Sequence, residues 1–395
     1  MKQFLFFLYF LQAMGMKTIM SSYHCEPDRG SEFETGWQEL LQLAAKCSDL
    51  IVVTRPFNRE KAEKVFREKG ISNTTFIFFD LPVAVNGFKK TSVGKQVVPY
   101  IWELILFFFL LKRYSRNQFQ HAHRASVGSY RFPSLLWYFS PYFTWGPIAS
   151  GEIVPIRFLS VFSWKGRVQE VLRLVLQHTS FVDPFVLSAL YKAQKIGVAT
   201  TATRNILPPF VRKKAYLQPD YYVVNKNDFQ VDFSAYKAKE GGVLKLLFVG
   251  RLLEWKGIMF ILKALRQLEG KINYEFTIIG EGPDRAVFQQ YAEKYKLKVS
   301  FLGAKPRRDL SSYYASHDLF VSMDMHGRGS FTMVEAKMHN LPVLALDITD
   351  PDKLTGEELM IIITTKQQSV KAIINQIAQV LLDKYTEQNP VPLYQ

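Results

Sequence analysis

Apolar and polar positions come in blocks along the chain, and the period changes from block to block. From residue 17, "KTIMSSY" predicts a strand and "EFETGWQELLQLAAKC" has helical spacing. "LIVVT" is a strand, "NREKAEKVFREKG" a helix closing on Gly70, and "TTFIFFD" a third strand. "FTWGP" and "KIGVATT" continue the series. Short, nearly all-apolar strands separated by longer helical stretches predict a mostly parallel sheet with helices on its faces.

A second, cleaner series begins at residue 243. Its strands are "VLKLLFVGRL", "YEFTIIGEG", "VSFLG", "LFVSM" and "PVLALD"; its helices are "GIMFILKALRQL", "DRAVFQQYAEKYKL", "RRDLSSYYASHD" and "TMVEAKMHN". The expected fold class is therefore α/β, with two Rossmann-like doubly wound domains. We place the amino-terminal domain at residues 16–231, a polar linker "DFSAYKAKEGG" at 232–242 and the carboxyl-terminal domain at 243–395. A chain of 395 residues, 48% of them hydrophobic, can fill two such cores.

Two apolar runs stand outside this alternation. Residues 1–15 form an apolar extension, whose "FLFFLYFLQAMG" has the length of a signal-peptide core and falls short of a membrane span. A start at Met16 is the preferred reading, because "MKTIMSS" leads directly into the first strand; a signal segment is the alternative. "YIWELILFFFLLKR" at 100–113 contains Glu103 and stops at Lys112 and Arg113, so a buried helix is expected, with membrane-surface contact as the second reading.

Charge then separates the halves. The first 240 residues carry 31 Lys plus Arg against 18 Asp plus Glu, a net +13 of the chain's +15. Such an excess suits an anionic membrane surface, an acidic substrate or nucleic acid. The cations are scattered among apolar runs, with "VRKKAY" at 211–216 the densest group, and no nucleic-acid motif is present, which ranks nucleic acid last. Cys25 and Cys47 make neither a disulfide framework nor a metal spacing, and a reducing compartment fits.

Two segments carry candidate chemistry. In "FVGRLLEWKG" a buried strand ends at a glycine, and Arg251 and Lys256 follow before a helix begins. Ligands of open parallel sheets sit off the carboxyl ends of the strands, where loop amides and helix N-termini attract anions, so two cations there suit a diphosphate. In "LFVSMDMHGRGSF" a strand again runs into glycines, followed by Gly329, Ser330, Phe331 and Thr332 where a helix starts and Glu335 one turn on. Glycines admit close backbone approach, and the first-turn amides are free to bind. Glu335 either favours the helix macrodipole or accepts from ribose hydroxyls.

Taken in order, "FVGRLLEWKG", "IIGEGPDRAVFQQYAEKY", "VSFLGAKPRRDLSSYYASHDLFVS" and "GSFTMVEAKMHNLPVLALD" resemble the donor domain of a family 4 glycosyltransferase. "SSYHCEPDRGSEFETGW" resembles that family's first strand and glycine-containing loop. "HAHRASVGSYRFPSLLWYF" and "YFTWGPIASGE" resemble a segment of members that build bacterial surface polysaccharides. The resemblance runs over roughly residues 16–385. It implies a GT-B fold, two Rossmann-like domains facing a central cleft. It also implies transfer of a hexose-type sugar with retention of configuration, from a nucleotide-sugar expected to be UDP-linked, to a glycan or lipid-linked acceptor. No metal or other cofactor is implied.

Matched position by position, the resemblance makes Arg251 and Lys256 the phosphate-binding pair and Glu335 the second glutamate of an E-x7-E motif. The first glutamate falls on Gly327 and is missing; Ser330 and His326 are the candidates to hold the sugar hydroxyls instead. His123 of "HAH" matches the histidine offered to the reaction centre, a role for the end of a strand facing the cleft. Gly30, Ser31 and Glu32 are implied on the acceptor side, and Glu281 near the base or ribose. Relatives usually continue beyond the last helix into a crossover segment, whereas this sequence ends at "NPVPLYQ", so the crossover is either shortened or lies in chain not given. "DPD", with Asp350 and Asp352, could instead suggest a metal-dependent transferase, but Pro351 favours a turn.

The expected protein acts in the cytoplasm or peripherally on the inner face of the plasma membrane, in cell-surface polysaccharide synthesis. A catalytically silent GT-B subunit that binds another glycosyltransferase is the rival, motivated by Gly327. A nicotinamide oxidoreductase is disfavoured because no G-x-G-x-x-G follows the first strand.

Overall fold

The computed structural model describes residues 16–27, 31–56, 59–88, 94–125, 128–218, 242–326, 331–349 and 359–389. The chain divides into two compact units, one of Met1–Gly151 with Leu174–Val223, the other of Glu152–Arg173 with Val224–Gln395. The apolar extension 1–15 and almost all of the linker expected at 232–242 lie outside the described residues.

Among the described residues, the first unit has seven strands: β1 (Lys17–Ser22), β2 (Asp49–Thr54), β3 (Thr74–Phe78), β4 (His121–Ala125), β5 (Phe143–Ile148), β6 (Lys195–Val198) and β7 (Ala215–Leu217). All pairings are parallel, in the order β3-β2-β1-β4-β5-β6-β7. Strands β1, β4 and β5 are buried almost throughout, as a sheet covered on both faces requires. The helices α1 (Ser31–Ala44), α2 (Arg59–Glu68) and α3 (Gly94–Leu111) follow the predicted blocks. Helix α3 buries Val98, Trp102, Leu106 and Leu110 and exposes Val97, Ile105, Phe108 and Leu111, which is why its sequence reads as one apolar run. No helix among the described residues is long and apolar enough to cross a membrane.

Helix α4 (Trp164–Thr179) and helix α5 (Pro184–Lys192) follow, the latter capped by Asp183, whose carboxylate accepts from the amides of Phe185 and Val186.

Among the described residues, the second unit has six parallel strands: β8 (Leu244–Val249), β9 (Tyr274–Ile279), β10 (Val299–Phe301), β11 (Leu319–Ser322), β12 (Val343–Leu346) and β13 (Met360–Ile363). Their order is β10-β9-β8-β11-β12-β13, the same winding as in the first unit. Helices α6 (Ile258–Gln267), α7 (Arg285–Lys294), α8 (Leu310–Ser316), α9 (Phe331–Met338) and α10 (Val370–Gln388) complete it. Phe260, Leu262 and Leu265 of α6 share a core with Ile373, Ile377 and Leu381 of α10 and with the inner side of β8. Both sheets reverse strand order beside their first strand, and a doubly wound sheet opens a ligand crevice at the carboxyl ends there.

The sequence reading assigned Glu152–Arg173 to the first domain, but these residues pack with the second unit. Phe158 and Phe162 belong to the core around α6, and the Phe158 and Phe260 rings meet edge to face. Strands β7 and β13 were not anticipated.

Candidate functional site

In the second unit the reversal falls between β8 and β11, and the loops leaving these two strands meet. After β8 the chain passes Gly250 and Arg251, makes a short 3-10 turn over Glu254–Lys256, and enters α6 through Gly257. Gly257 has φ 73°, and a Cβ there would lie 2.1 Å from the carbonyl oxygen of Met323, in the loop after β11. Only glycine permits that approach. It brings Lys256 Nζ within 2.6 Å of Asp324 Oδ2. Arg251 is exposed at the same edge, and none of the described carboxylates pairs with it.

Asp324 is a residue that sequence reasoning missed; a carboxylate just beyond an apolar strand, in "FVSMD", was the available signal. Its Oδ1 accepts the His326 amide at 2.9 Å. The His326 ring is buried, stacks on Trp255 at 4.3 Å, and its Nε2 is 3.2 Å from Glu170 Oε2. Burial holds the His326 ring below the ordinary histidine range against the pull of Glu170, so the neutral ring donates Nε2–H to that carboxylate. Burial would raise Glu170, but His326 and Arg173 outweigh it and keep it ionised below the usual range. His326, one candidate replacement for the missing glutamate, thus has its ring engaged within the unit.

Glu254 is tied to the same segment from the first half of the sequence. Its two carboxylate oxygens accept from the Ser163 amide and hydroxyl, each at 2.5 Å, although burial raises its carboxyl. The 3-10 turn that carries Lys256 is therefore braced at Glu254 by Ser163 and at Trp255 through His326 and Glu170.

Glu335 lies in α9, buried, with Oε1 accepting from Arg307 Nε at 3.0 Å and Oε2 from the Tyr314 hydroxyl at 2.8 Å. Burial raises its carboxyl, and the Arg307 charge opposes the rise. Phe331 and Thr332 are half-buried at the start of that helix; Gly329, Ser330 and Gly327 lie outside the described residues. Glu281 is exposed at the carboxyl end of β9 and ion-pairs with Arg285. The structure thus gathers Lys256 and Asp324 in direct contact, with Arg251 nearby in sequence, and gives Glu335 and Glu281 partners of their own. Asp350 and Asp352 lie outside the described residues, and no cluster that could hold a metal occurs among those described.

In the first unit His123 is the third of five buried residues of β4, in mid-strand where its end was expected. Its Nδ1 is 2.7 Å from Thr144 Oγ1 on β5, a hydroxyl shared with His121 Nε2 at 2.8 Å. His123 Nε2 faces Glu39 Oε2 of α1 at 3.4 Å without hydrogen-bond alignment. Glu39, also missed by the sequence reading, accepts from Gln218 at 2.7 Å. Gly30 lies outside the described residues, Ser31 begins α1, and Glu32 approaches His24 Nδ1 at 3.3 Å. Cys25 and Cys47 are free and buried.

Each unit is a Rossmann-like domain of parallel strands, and the structural neighbours with this fold are GT-B glycosyltransferases. HepE of Anabaena, in complex with UDP-glucose, has this fold and superposes with a TM-score of 0.54 over 94% of this chain and 95% of its own, at 14% identity. Residues 232–391 match the family model described as "Glycosyl transferases group 1", a match that lies within the second unit. Among curated proteins the chain is similar to the amylovoran biosynthesis glycosyltransferase AmsD of Erwinia amylovora, 25% identical over 191 residues, 47% of this chain and 52% of AmsD. It is also similar to one of the subunits of the human phosphatidylinositol N-acetylglucosaminyltransferase, 24% identical over 261 residues, 57% of this chain and 53% of the relative. The matched regions span about half the length of these relatives.

Proposed function

We propose that this protein is an active, retaining glycosyltransferase that moves a hexose from a UDP-linked donor to a glycan or lipid-linked acceptor in cell-surface polysaccharide synthesis. The observation that carries the reading is the Lys256 and Asp324 contact at the β8/β11 reversal, with exposed Arg251 at the same strand edge, inside a group 1 domain. A preorganised cation at a strand end can meet the charge that develops on a departing nucleoside diphosphate. In this reading Arg251 and Lys256 bind the diphosphate, Glu335 and Glu281 lie towards the ribose and base, and the amides from Gly329 to Thr332 cradle the phosphates. No metal is required.

His123 is the proposed group towards the donor sugar or acceptor, because its Nε2 is left without an aligned partner beside Glu39. Gly30, Ser31 and Glu32 serve the acceptor. The basic first half suits an acidic pyrophosphate-lipid held at an anionic inner leaflet, which makes the protein cytoplasmic and peripheral there. AmsD is named for amylovoran biosynthesis and HepE holds UDP-glucose, and both are consistent with this chemistry.

The test is a thermal-shift panel of UDP, GDP and ADP on the wild type, Arg251→Ala and Lys256→Ala. A nucleotide at ~100 times its dissociation constant stabilises by about 2.7 kcal/mol. A wild type that responds to no nucleotide, or variants that respond equally, overturn the donor site. A catalytically silent subunit is the second reading, favoured by Gly327 where a carboxylate belongs. It predicts nucleotide binding without release of nucleoside diphosphate from any donor.

A further inference from the structure

Helix α4 turns part of its polar surface inward. Gly166, Glu170, Arg173 and Gln177, spaced at about one helical turn, form its inner face. A Cβ on Gly166 would strike the Glu254 carboxylate, Glu170 holds His326, Arg173 donates to the Glu152 carbonyl at 2.8 Å, and Gln177 is fully buried. The opposite face presents Trp164, Val168, Val171, Leu172 and Val175, which are 70%, 57%, 50%, 50% and 51% exposed. An ordinary surface helix does the reverse. Arg167 flanks this stripe on one side and Lys165 on the other; both are exposed, and Lys165 Nζ sits 5.9 Å from the Trp164 ring centroid. The helix's one carboxylate, Glu170, is on the inner face.

We infer that the outer face of α4 docks on an anionic lipid surface. A contiguous exposed apolar strip marks an interaction site. A tryptophan at one end, aliphatic side chains along the strip and a cation on each flank are the chemistry of a helix lying in the headgroup layer. The net +13 of the first 240 residues adds attraction to acidic headgroups. A second copy is a poorer occupant, because self-pairing would set Lys165 and Arg167 against their own counterparts. The inference rests on the peripheral-membrane part of the proposed function and names the surface responsible.

The experiment is co-sedimentation of the full chain with phosphatidylcholine vesicles, with and without phosphatidylglycerol. The wild type binds the phosphatidylglycerol vesicles and not the neutral ones. Val168→Glu with Val171→Glu lowers that binding by more than about tenfold, and Lys165→Ala with Arg167→Ala weakens it most at low salt. These side chains are exposed, so melting temperatures stay near wild type; should the glutamate pair melt early, Val168→Ser with Val171→Ser gives the same direction. A wild type that stays in the supernatant, or apolar-strip variants that bind equally, overturn the inference. So does a strip variant that loses self-association in light scattering while vesicle binding is unchanged. The UDP shift, measured on the same preparations, reports the donor site separately, so failure of one reading is distinguishable from failure of the other.

Discussion

Lys256 and Asp324 meet at 2.6 Å across the strand reversal of the second unit, one from the loop after β8 and the other from the loop after β11. Asp324 is almost entirely buried, so deleting the lysine strips its carboxylate of this counter-charge. Lys256→Ala is expected to destabilise the protein by about 3 kcal/mol and to abolish the UDP shift. Adding Asp324→Asn recovers much of the stability and none of the shift. Urea melts with a nucleotide titration separate the two effects, and a double variant as unstable as the single one means the ion pair is not the source.

Gly257 makes the same contact possible through the backbone. Gly257→Ala asks a side chain to accept φ 73° and to enter the space of the Met323 carbonyl. Strain and overlap together predict a loss of more than about 2 kcal/mol. Gly270→Ala, also at φ 73° but with nothing within 4 Å of the added carbon, carries only the conformational part and is the control. Equal losses in the two variants would show that the approach to Met323 is not what constrains Gly257.

Glu335 accepts from Arg307 and Tyr314 at once. Glu335→Ala leaves the buried Tyr314 hydroxyl without that acceptor and is expected to cost about 2 kcal/mol. Glu335→Gln keeps an acceptor for Tyr314 and costs less. If Glu335 also serves the ribose, Gln lowers UDP affinity more than it lowers stability. Calorimetric titration of both variants reads this; parallel changes in affinity and stability point to a structural role alone.

Much of the fold was legible because each strand is a short apolar block bounded by glycine or polar residues, as "LKLLFVG" before Arg251 and "LFVSM" before Asp324 show. The place of Lys256 off a strand end was legible for the same reason, since it follows from the strand that ends just before Gly250. The placement of Glu152–Arg173 was not legible, because it depends on contacts such as Ser163 with Glu254, 91 residues apart. Helix α4 misleads a pattern reading for a related reason: its apolar stripe faces out, and only the partners of Glu170 reveal which face is inner. Partners of Glu335 and His123 were equally invisible, since Tyr314, Arg307, Thr144 and Glu39 carry no mark in sequence of the element they will face.

The burial of His121, whose ring shares the Thr144 hydroxyl with His123, sets up a pH response. Burial, with the nearby His123 adding to it, pushes His121 down to about 3 from its ordinary 6.5. The folded state therefore holds His121 neutral while the unfolded chain takes up a proton as soon as pH falls below about 6.5. Its contribution to stability is complete above that pH and is lost progressively as pH falls from 6.5 towards 3, by about 1.4 kcal/mol per unit. His121→Gln cannot be protonated in either state, so its stability should fall less steeply with pH across this window. Urea melts of wild type and variant at pH 7.5, 6.5 and 5.5 (about one unit apart) measure the slopes; parallel curves would exclude His121 as the source. Thr144→Val, which removes the hydroxyl that both histidines share, should lower stability at every pH by about 1 to 3 kcal/mol while leaving the wild-type slope.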